Sequence, residues 1–206
     1  MPRTISEDAD ARREAPRFRL AGPDDAEAVA NLHAESWRRH YRGAYSDAFL
    51  DGDVLADRLA VWSERLREPN PSSCTILAED RTLVGFAHTV FDDDPAWGAL
   101  LDNMHVVQGR KRGGIGSRLL GLTAEAVIER PERTGLYLWV LEQNVDARAF
   151  YEARGGRCVG RDPVTPPGGI ASRLSGSPAK LRYAWLEPSA LLEHPPVRVR
   201  AVGDST

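Results

Sequence analysis

The stretch that most constrains this chain is His105-Val106-Val107-Gln108-Gly109-Arg110-Lys111-Arg112-Gly113-Gly114-Ile115-Gly116-Ser117. A strand-like run enters a basic, glycine-rich turn that opens directly into a helix. The first turn of a helix leaves four N–H groups without intrahelical partners. They point along the axis, where the macrodipole adds partial positive charge. Glycines let backbone approach a ligand closely, so a phosphate or pyrophosphate fits there, and Arg110, Lys111 and Arg112 add positive charge around it. Two common phosphate loops fail on spacing. A GxxxxGK loop counted from Gly109 reaches Gly114, but Ile115 follows where Lys is required. A GxGxxG fingerprint starting at Gly114 and Gly116 needs a third glycine where Leu119 stands.

The elements around this turn follow from periodicity. Arg17 to Leu20 reads as a short strand. Pro23-Asp24-Asp25 starts a helix that carries Ala26, Val29, Ala30, Leu32, His33 and Trp37 at helical spacing. A second helix is expected over 46–67, ended by Pro69-Asn70-Pro71. Residues 73–78 and 83–91 form a hairpin signal around Glu79-Asp80-Arg81. A strand over 97–107, a helix over 113–129 and a buried strand over 136–141 follow. A short helix over 146–154 ends at Gly155-Gly156, and strands at 157–160 and 180–186 close the chain. Strands and helices mix without strict alternation. That predicts an α/β (α+β) domain with a mixed, mostly antiparallel central sheet. Its βαβ crossover joins strands 97–107 and 136–141 in parallel with right-handed connection.

Residues 1–16 are polar and charged and are expected to be a disordered extension. The domain proper is placed at 17–190, with a loosely packed tail over 191–206. Net charge is −3, which gives no electrostatic footprint for nucleic acid or a membrane surface. The N-terminal segment lacks the apolar core of a signal peptide, and no run reaches the roughly 20 apolar residues of a membrane span. Cys74 and Cys158 are far apart and outside any CxxC, and the five histidines show no metal-ligand spacing. No metal is expected, and two reduced thiols fit a cytoplasmic protein.

Lys111-Arg112-Gly113-Gly114-Ile115-Gly116 resembles the acyl-CoA-binding motif of the GNAT superfamily of N-acetyltransferases: Gln or Arg, two residues, Gly, one residue, Gly or Ala. Lys111 replaces the usual first residue and keeps it basic. Residues 138–156 look like the second signature of that superfamily, a strand followed by Asn144, Ala147, the pair Phe150-Tyr151 and a glycine turn. The usual Gly-Phe ending is Gly155-Gly156 here. Leu32-His33-Ala34-Glu35-Ser36-Trp37 and Tyr41-Arg42-Gly43 resemble a common bacterial branch. The resemblance spans about residues 17–187.

The resemblance implies a GNAT fold and acetyl transfer from acetyl-CoA to a primary amine by direct attack. It implies that the two central parallel strands splay around the pantetheine arm. Backbone at Val106, Val107 and Gln108 would hold the arm, amides of Lys111, Arg112, Gly113, Gly114, Ile115, Gly116 and Ser117 the pyrophosphate, and Asn144 the cofactor's other side. A backbone N–H near Val106 would stabilise the oxyanion. Tyr151 matches the acid that protonates the thiolate. Many relatives carry a base, Glu, at the position of Leu100. Asp102, two residues on, should share its face unless a bulge intervenes; Glu142 and Glu35 are weaker candidates. His105 is expected on the opposite face as a packed histidine. Trp37, Tyr41 and Tyr45 form a candidate aromatic wall for the acceptor, or the core of a helical hairpin. Asp92-Asp93-Asp94 reads first as a solvated turn. The acceptor is expected to be a small-molecule amine. A protein-amine acetyltransferase and a non-catalytic acyl-CoA-binding module stand as alternatives, and the last strands are the candidate surface for a homodimer.

Overall fold

The computed structural model describes residues 15–130 and 135–193; the proposed N-terminal extension up to residue 14 and the tail beyond 193 lie outside these. Seven strands form one sheet in the order β1-β2-β3-β4-β5-β7-β6. They are β1 (Arg17–Leu20), β2 (Ser73–Asp80), β3 (Thr82–Asp94), β4 (Gly98–Val106), β5 (Leu136–Leu141), β6 (Arg157–Pro163) and β7 (Ala179–Trp185). All neighbours pair antiparallel except β4 and β5, which are joined through α4 (Ile115–Ile128). The mixed sheet with one crossover is therefore as the sequence predicts.

Alternation along the strands decides what each face buries. Ile76, Ala78, Val84, Ala87, Leu138 and Tyr183 pack on the α4 side. Leu77 and Phe86 pack on the other side, against α1 (Ala26–His40) and Trp62 of α3 (Val54–Arg65). The single helix expected over 46–67 is two: α2 (Asp47–Asp51) and α3. Gly52 breaks it with φ −101° and ψ −102°. A Cβ there would lie 2.7 Å from the Ala48 carbonyl oxygen, so only glycine makes this reversal without a clash.

The connection over 164–178, for which the sequence offers no periodic signal, folds back on α2. Ser46 N–H donates to the Arg173 carbonyl (2.9 Å) and Ser175 N–H to the Ala44 carbonyl (2.9 Å). Arg173 also pairs with Asp57 (2.5 Å) and stacks on Phe49. Val164, Leu141 and the α1–α2 aromatics thus share one apolar cluster.

Two irregularities shape the centre. β3 pairs with β4 at His88↔Asn103 and then at Thr89↔Leu101, so Asp102 is the extra residue of a β-bulge. The bulge inverts the alternation. Leu101 and Met104, three apart, both pack on the α4 side, while His105 packs on the α1 side against His33 and Phe86. His105 therefore shares the face of Leu100 and does not oppose it, which corrects the sequence expectation. Secondly, β4 and β5 pair only at Ala99↔Leu136 and Leu100↔Tyr137. Beyond that point the two strands diverge.

Candidate functional site

The divergence leaves backbone groups facing a gap. Val107 N–H donates to the Val84 carbonyl (2.9 Å), so odd residues at the end of β4 bond to β3. Val106 and Met104 must then direct their N–H and C=O groups toward β5, where no strand partner remains among the described residues. On the far wall, Glu142 N–H donates to the Ala179 carbonyl (2.9 Å). Even residues of β5 thus bond to β7, and the Trp139 backbone faces the gap.

At the end of β4 the chain makes a short 3-10 turn, Gln108–Arg110, and enters α4 with Arg112 at φ 64° and Gly114 at φ 83°. The N-cap is Gly114, and no side chain caps the helix. The first intrahelical bond is from Arg118 N–H to the Gly114 carbonyl (2.9 Å). The amides of Ile115, Gly116 and Ser117 thus open toward the gap as a ready anion site. Gly116 sits where a Cβ would meet the Phe150 ring at 3.4 Å, which sets how closely α4 and α5 (Val145–Glu152) approach.

The three basic residues of this turn divide their work. Arg110 is ion-paired with Asp80 of the β2–β3 turn and largely buried, so it anchors the turn and is not free to bind phosphate. Lys111 Nζ lies 3.0 Å from His40 Nε2 at the end of α1; burial, reinforced by Lys111, keeps His40 below its usual range. Burial likewise lowers Lys111, against the upward pull of Asp146 from the α5 side. The turn offers no further side-chain cation except Arg112, but the chain just past the end of α5 supplies one that the sequence did not single out. Arg154 stacks 3.9 Å over the Phe150 ring and donates to Ser117 Oγ (3.1 Å from Nε) in the first turn of α4. The signal was Arg154's place at the end of the second signature, one turn after Phe150.

Asn144 caps α5, its Oδ1 accepting from Ala147 N–H (3.2 Å). Tyr151 is buried against Phe150, Tyr183 and Trp185. Burial raises its hydroxyl pKa above the ordinary range, and Tyr41 raises it further. Tyr151 is therefore a protonated phenol near neutral pH. Tyr41 itself is pushed up to about 12, by burial first and then by Asp102.

Trp37 is buried behind this wall, edge-on to Tyr45 at 4.9 Å and under the Arg58 guanidinium at 4.2 Å. Tyr41 and Tyr45 stand in front and line a cavity of about 140 Å³ with Trp139, Val164, Thr165 and Lys180. Gln143 Nε2 donates to the Arg42 carbonyl (2.8 Å), which ties the tyrosine-bearing turn to the end of β5. Asp102 pairs with Arg65 of α3 (2.8 Å) and accepts from Asn103 Nδ2 (2.5 Å). Glu142 is paired with Arg161 (2.9 Å), and Glu35 is exposed on the outer face of α1. In the acidic turn, Asp93 accepts from the Tyr137 hydroxyl and Asp94 Oδ1 from Ala96 N–H (2.8 Å), so both have structural roles. Among the described residues no helix is long and apolar enough to cross a membrane.

The splayed strands with an open helix N-terminus match a known architecture. The model of the Acetyltransferase (GNAT) family matches residues 27–156. A probable N-acetyltransferase of Mycobacterium tuberculosis is 30% identical over 154 residues, covering 70% of this chain and 82% of that protein. An uncharacterized N-acetyltransferase of Bacillus subtilis is 24% identical over 148 residues, with the same coverage of 70% and 82%. Among solved structures, the PaiA N-acetyltransferase of Thermoplasma acidophilum in complex with coenzyme A superimposes with a TM-score of 0.65 at 20% identity, covering 84% of this chain and 100% of that one. The NAA60 protein of Arabidopsis thaliana in complex with acetyl-CoA gives 0.55 at 17% identity, over 82% and 97%. The two structures speak to the fold, and the family match with the mycobacterial relative to descent: this chain is a member of the GNAT family of acetyltransferases.

Proposed function

We propose that the protein transfers an acetyl group from acetyl-CoA to the primary amine of a small molecule. One observation carries this reading: the unpartnered backbone of Val106 and the uncapped N-terminus of α4 stand together at the point where β4 and β5 diverge. Acetyl-CoA supplies a thioester, whose C–S bond breaks as the amine nitrogen forms the new C–N bond, releasing coenzyme A as a thiol and a proton from the amine. The gap fits that group. Val106, Val107 and Gln108 extend β4 as an edge for the pantetheine amides, and amides over 111–117 take the pyrophosphate, with Arg112 and Arg154 as side-chain cations. The free Nδ2 of Asn144 donates from the α5 side.

The Val106 N–H is our donor for negative charge developing on the carbonyl oxygen. A fixed donor in a dry gap needs no reorganisation at that moment. Tyr151 is the acid for the departing sulfur: its phenol is protonated near neutral pH and has a proton to give as the C–S bond breaks. Asp102 is the carboxylate on the acceptor side; its charge is felt by both Tyr41 and Tyr45. It draws in the ammonium and takes its proton.

Coverage of the acceptor side by the 164–178 connection favours a small molecule over a peptide groove. The exposed edge strand β6 carries Arg157, Arg161, a bulge between Cys158 and Gly160, and Pro163. These features disfavour strand-to-strand pairing, so a homodimer through this edge is not part of the proposal. Two free cysteines, one exposed, fit a reducing, cytoplasmic setting.

The test is calorimetric titration with acetyl-CoA beside a thiol-release assay on a panel of amines, for wild type and Tyr151→Phe. The expected result is binding in both proteins and amine-dependent thiol release, with kcat about 10²-fold lower in the variant. Absence of acetyl-CoA binding would overturn the reading.

A further inference from the structure

The acetyl-transfer reading leaves the acceptor unnamed, but the cavity beside Tyr41 has a charge pattern that narrows it. Trp139 stands on the face of β5 that looks away from α4, and two cations flank its ring. Lys180 Nζ lies 4.5 Å from the ring centroid and the Arg182 guanidinium 4.6 Å. Arg182 also reaches over Tyr137 (5.2 Å) and Trp97 (5.3 Å). Two like charges on one indole repel each other unless an anion lies between or beside them. Among the described residues, neither closes an ion pair. Arg182 Nε is buried with no hydrogen-bond partner. Lys180 is half-buried, and that burial lowers its pKa against the weaker upward pull of Asp162, its cross-strand neighbour. Its charged form is thus held in the cavity wall short of a counter-charge.

The opposite wall is phenolic and carries no cation of its own among the lining residues. Tyr41 and Tyr45 line the cavity; burial raises both hydroxyls, with Asp102 next for Tyr41, while at Tyr45 the Arg58 cation opposes the rise ahead of the smaller push from Asp102. With Asp102 the proposed base, the tyrosine wall is taken as the reacting end and the Lys180 wall, on the other side of the cavity, as the far end. Between them the lining is apolar and aromatic, Trp139 and Val164, and Thr165 lines the cavity as well.

We infer that the acceptor is a small amine that also carries a carboxylate: its ammonium is drawn to the Asp102 end, its carboxylate is held by Lys180, and an apolar or aryl body lies between. Charge complementarity of this kind sets specificity and orientation more than raw affinity. It presents the amine nitrogen to the gap and holds the acid away from it. The same pattern disfavours polyamines, whose second ammonium would lie against Lys180. This inference rests on the acetyl-transfer reading for the reacting end and on the cavity alone for the carboxylate end.

The test uses matched probes: phenylalanine, 4-aminobutyrate and 4-(aminomethyl)benzoate, each beside its carboxamide, with spermidine as the polycation. Thiol release and calorimetric binding are measured for wild type, Lys180→Met and Lys180→Arg. The expected result is that wild type favours the carboxylate member of at least one pair by about tenfold or more in kcat/KM, about 1.4 kcal/mol. Lys180→Met, which keeps the stem on Trp139, loses that preference, and Lys180→Arg keeps it. Acetyl-CoA affinity stays unchanged in all three. Preference for carboxamides or spermidine, or a carboxylate preference that survives Lys180→Met, overturns the inference. Should no amine release thiol, the transfer reading fails, and the pairs are judged by calorimetry: tighter carboxylate binding that Lys180→Met abolishes sustains the carboxylate site, and equal or absent binding removes it.

Discussion

Gly156 stands where the second family signature ends in an aromatic residue, and the structure shows what fills the space. A Cβ at Gly156 would lie 2.7 Å from Cζ2 of Trp185, which arrives from β7 and donates from Nε1 to the Arg154 carbonyl (2.8 Å). An aromatic from β7 thus occupies the space beside Gly156. Gly156→Phe alone should be destabilising by about 3 kcal/mol through overpacking, whereas Gly156→Phe with Trp185→Ala should recover part of the loss, the Tyr151 carbonyl 3.0 Å from the new Cβ remaining in place. A urea-melt double-mutant cycle reads the coupling, and additive penalties would refute that shared packing. Asp102 makes a second prediction at this scale. Asp102→Asn should lower kcat/KM about tenfold at pH 7 and move the pH profile upward, toward the ammonium's own pKa of about 10.4. A lower rate with an unmoved profile would leave Asp102 a structural partner of Arg65.

At the scale of elements, the site is legible in the sequence where its chemistry is local and hidden where it depends on pairing. The turn over 108–117 and the capped start of α5 each lie within one short segment, so spacing alone exposes them. The Asp102 bulge depends on which β3 residue faces which β4 residue, and no pattern within β4 reveals it. The break at Gly52 carried a glycine signal, but an apolar stripe running on into Trp62 masked it. The 164–178 connection is ordered by contacts with α2, more than a hundred residues away. The same reasoning bears on Gly116. Gly116→Ala places its Cβ in ordinary contact with Phe150, so it should gain about 0.5–1 kcal/mol of helix stability and keep cofactor affinity. Gly116→Leu must fill the space between α4 and α5 and should weaken acetyl-CoA binding at least about tenfold. Equal affinities for the two variants would show that the gap does not hold the cofactor there.

Over the whole molecule, the α1–α3 layer rests on three histidines that the fold keeps neutral. Trp62 Nε1 donates to His33 Nδ1 (3.0 Å), so the His33 proton sits on Nε2, which has no partner. His105 stacks on His33 at 4.7 Å and bonds Ser36 through Nδ1 (2.7 Å); His88 bonds Thr75 (2.8 Å). Burial lowers all three, His33 well below its usual range, His88 to about 4 and His105 to about 3. Folded pKa values below the unfolded value of about 6.5 mean that the unfolded chain binds protons first as pH falls. Stability is therefore full above about pH 6.5 and declines as pH falls toward 4 and then 3. At pH 5 each such histidine costs about 2 kcal/mol, a heavy toll on a fold whose whole stability is of order 5–15 kcal/mol. Urea midpoints should fall steeply between pH 7 and pH 5, above the range where most carboxylates titrate, and His105→Gln should flatten that slope by about a third. A midpoint constant over this interval would mean that the histidines take up protons in the folded state, and the packing of α1 against β3 and β4 would then have to admit charge.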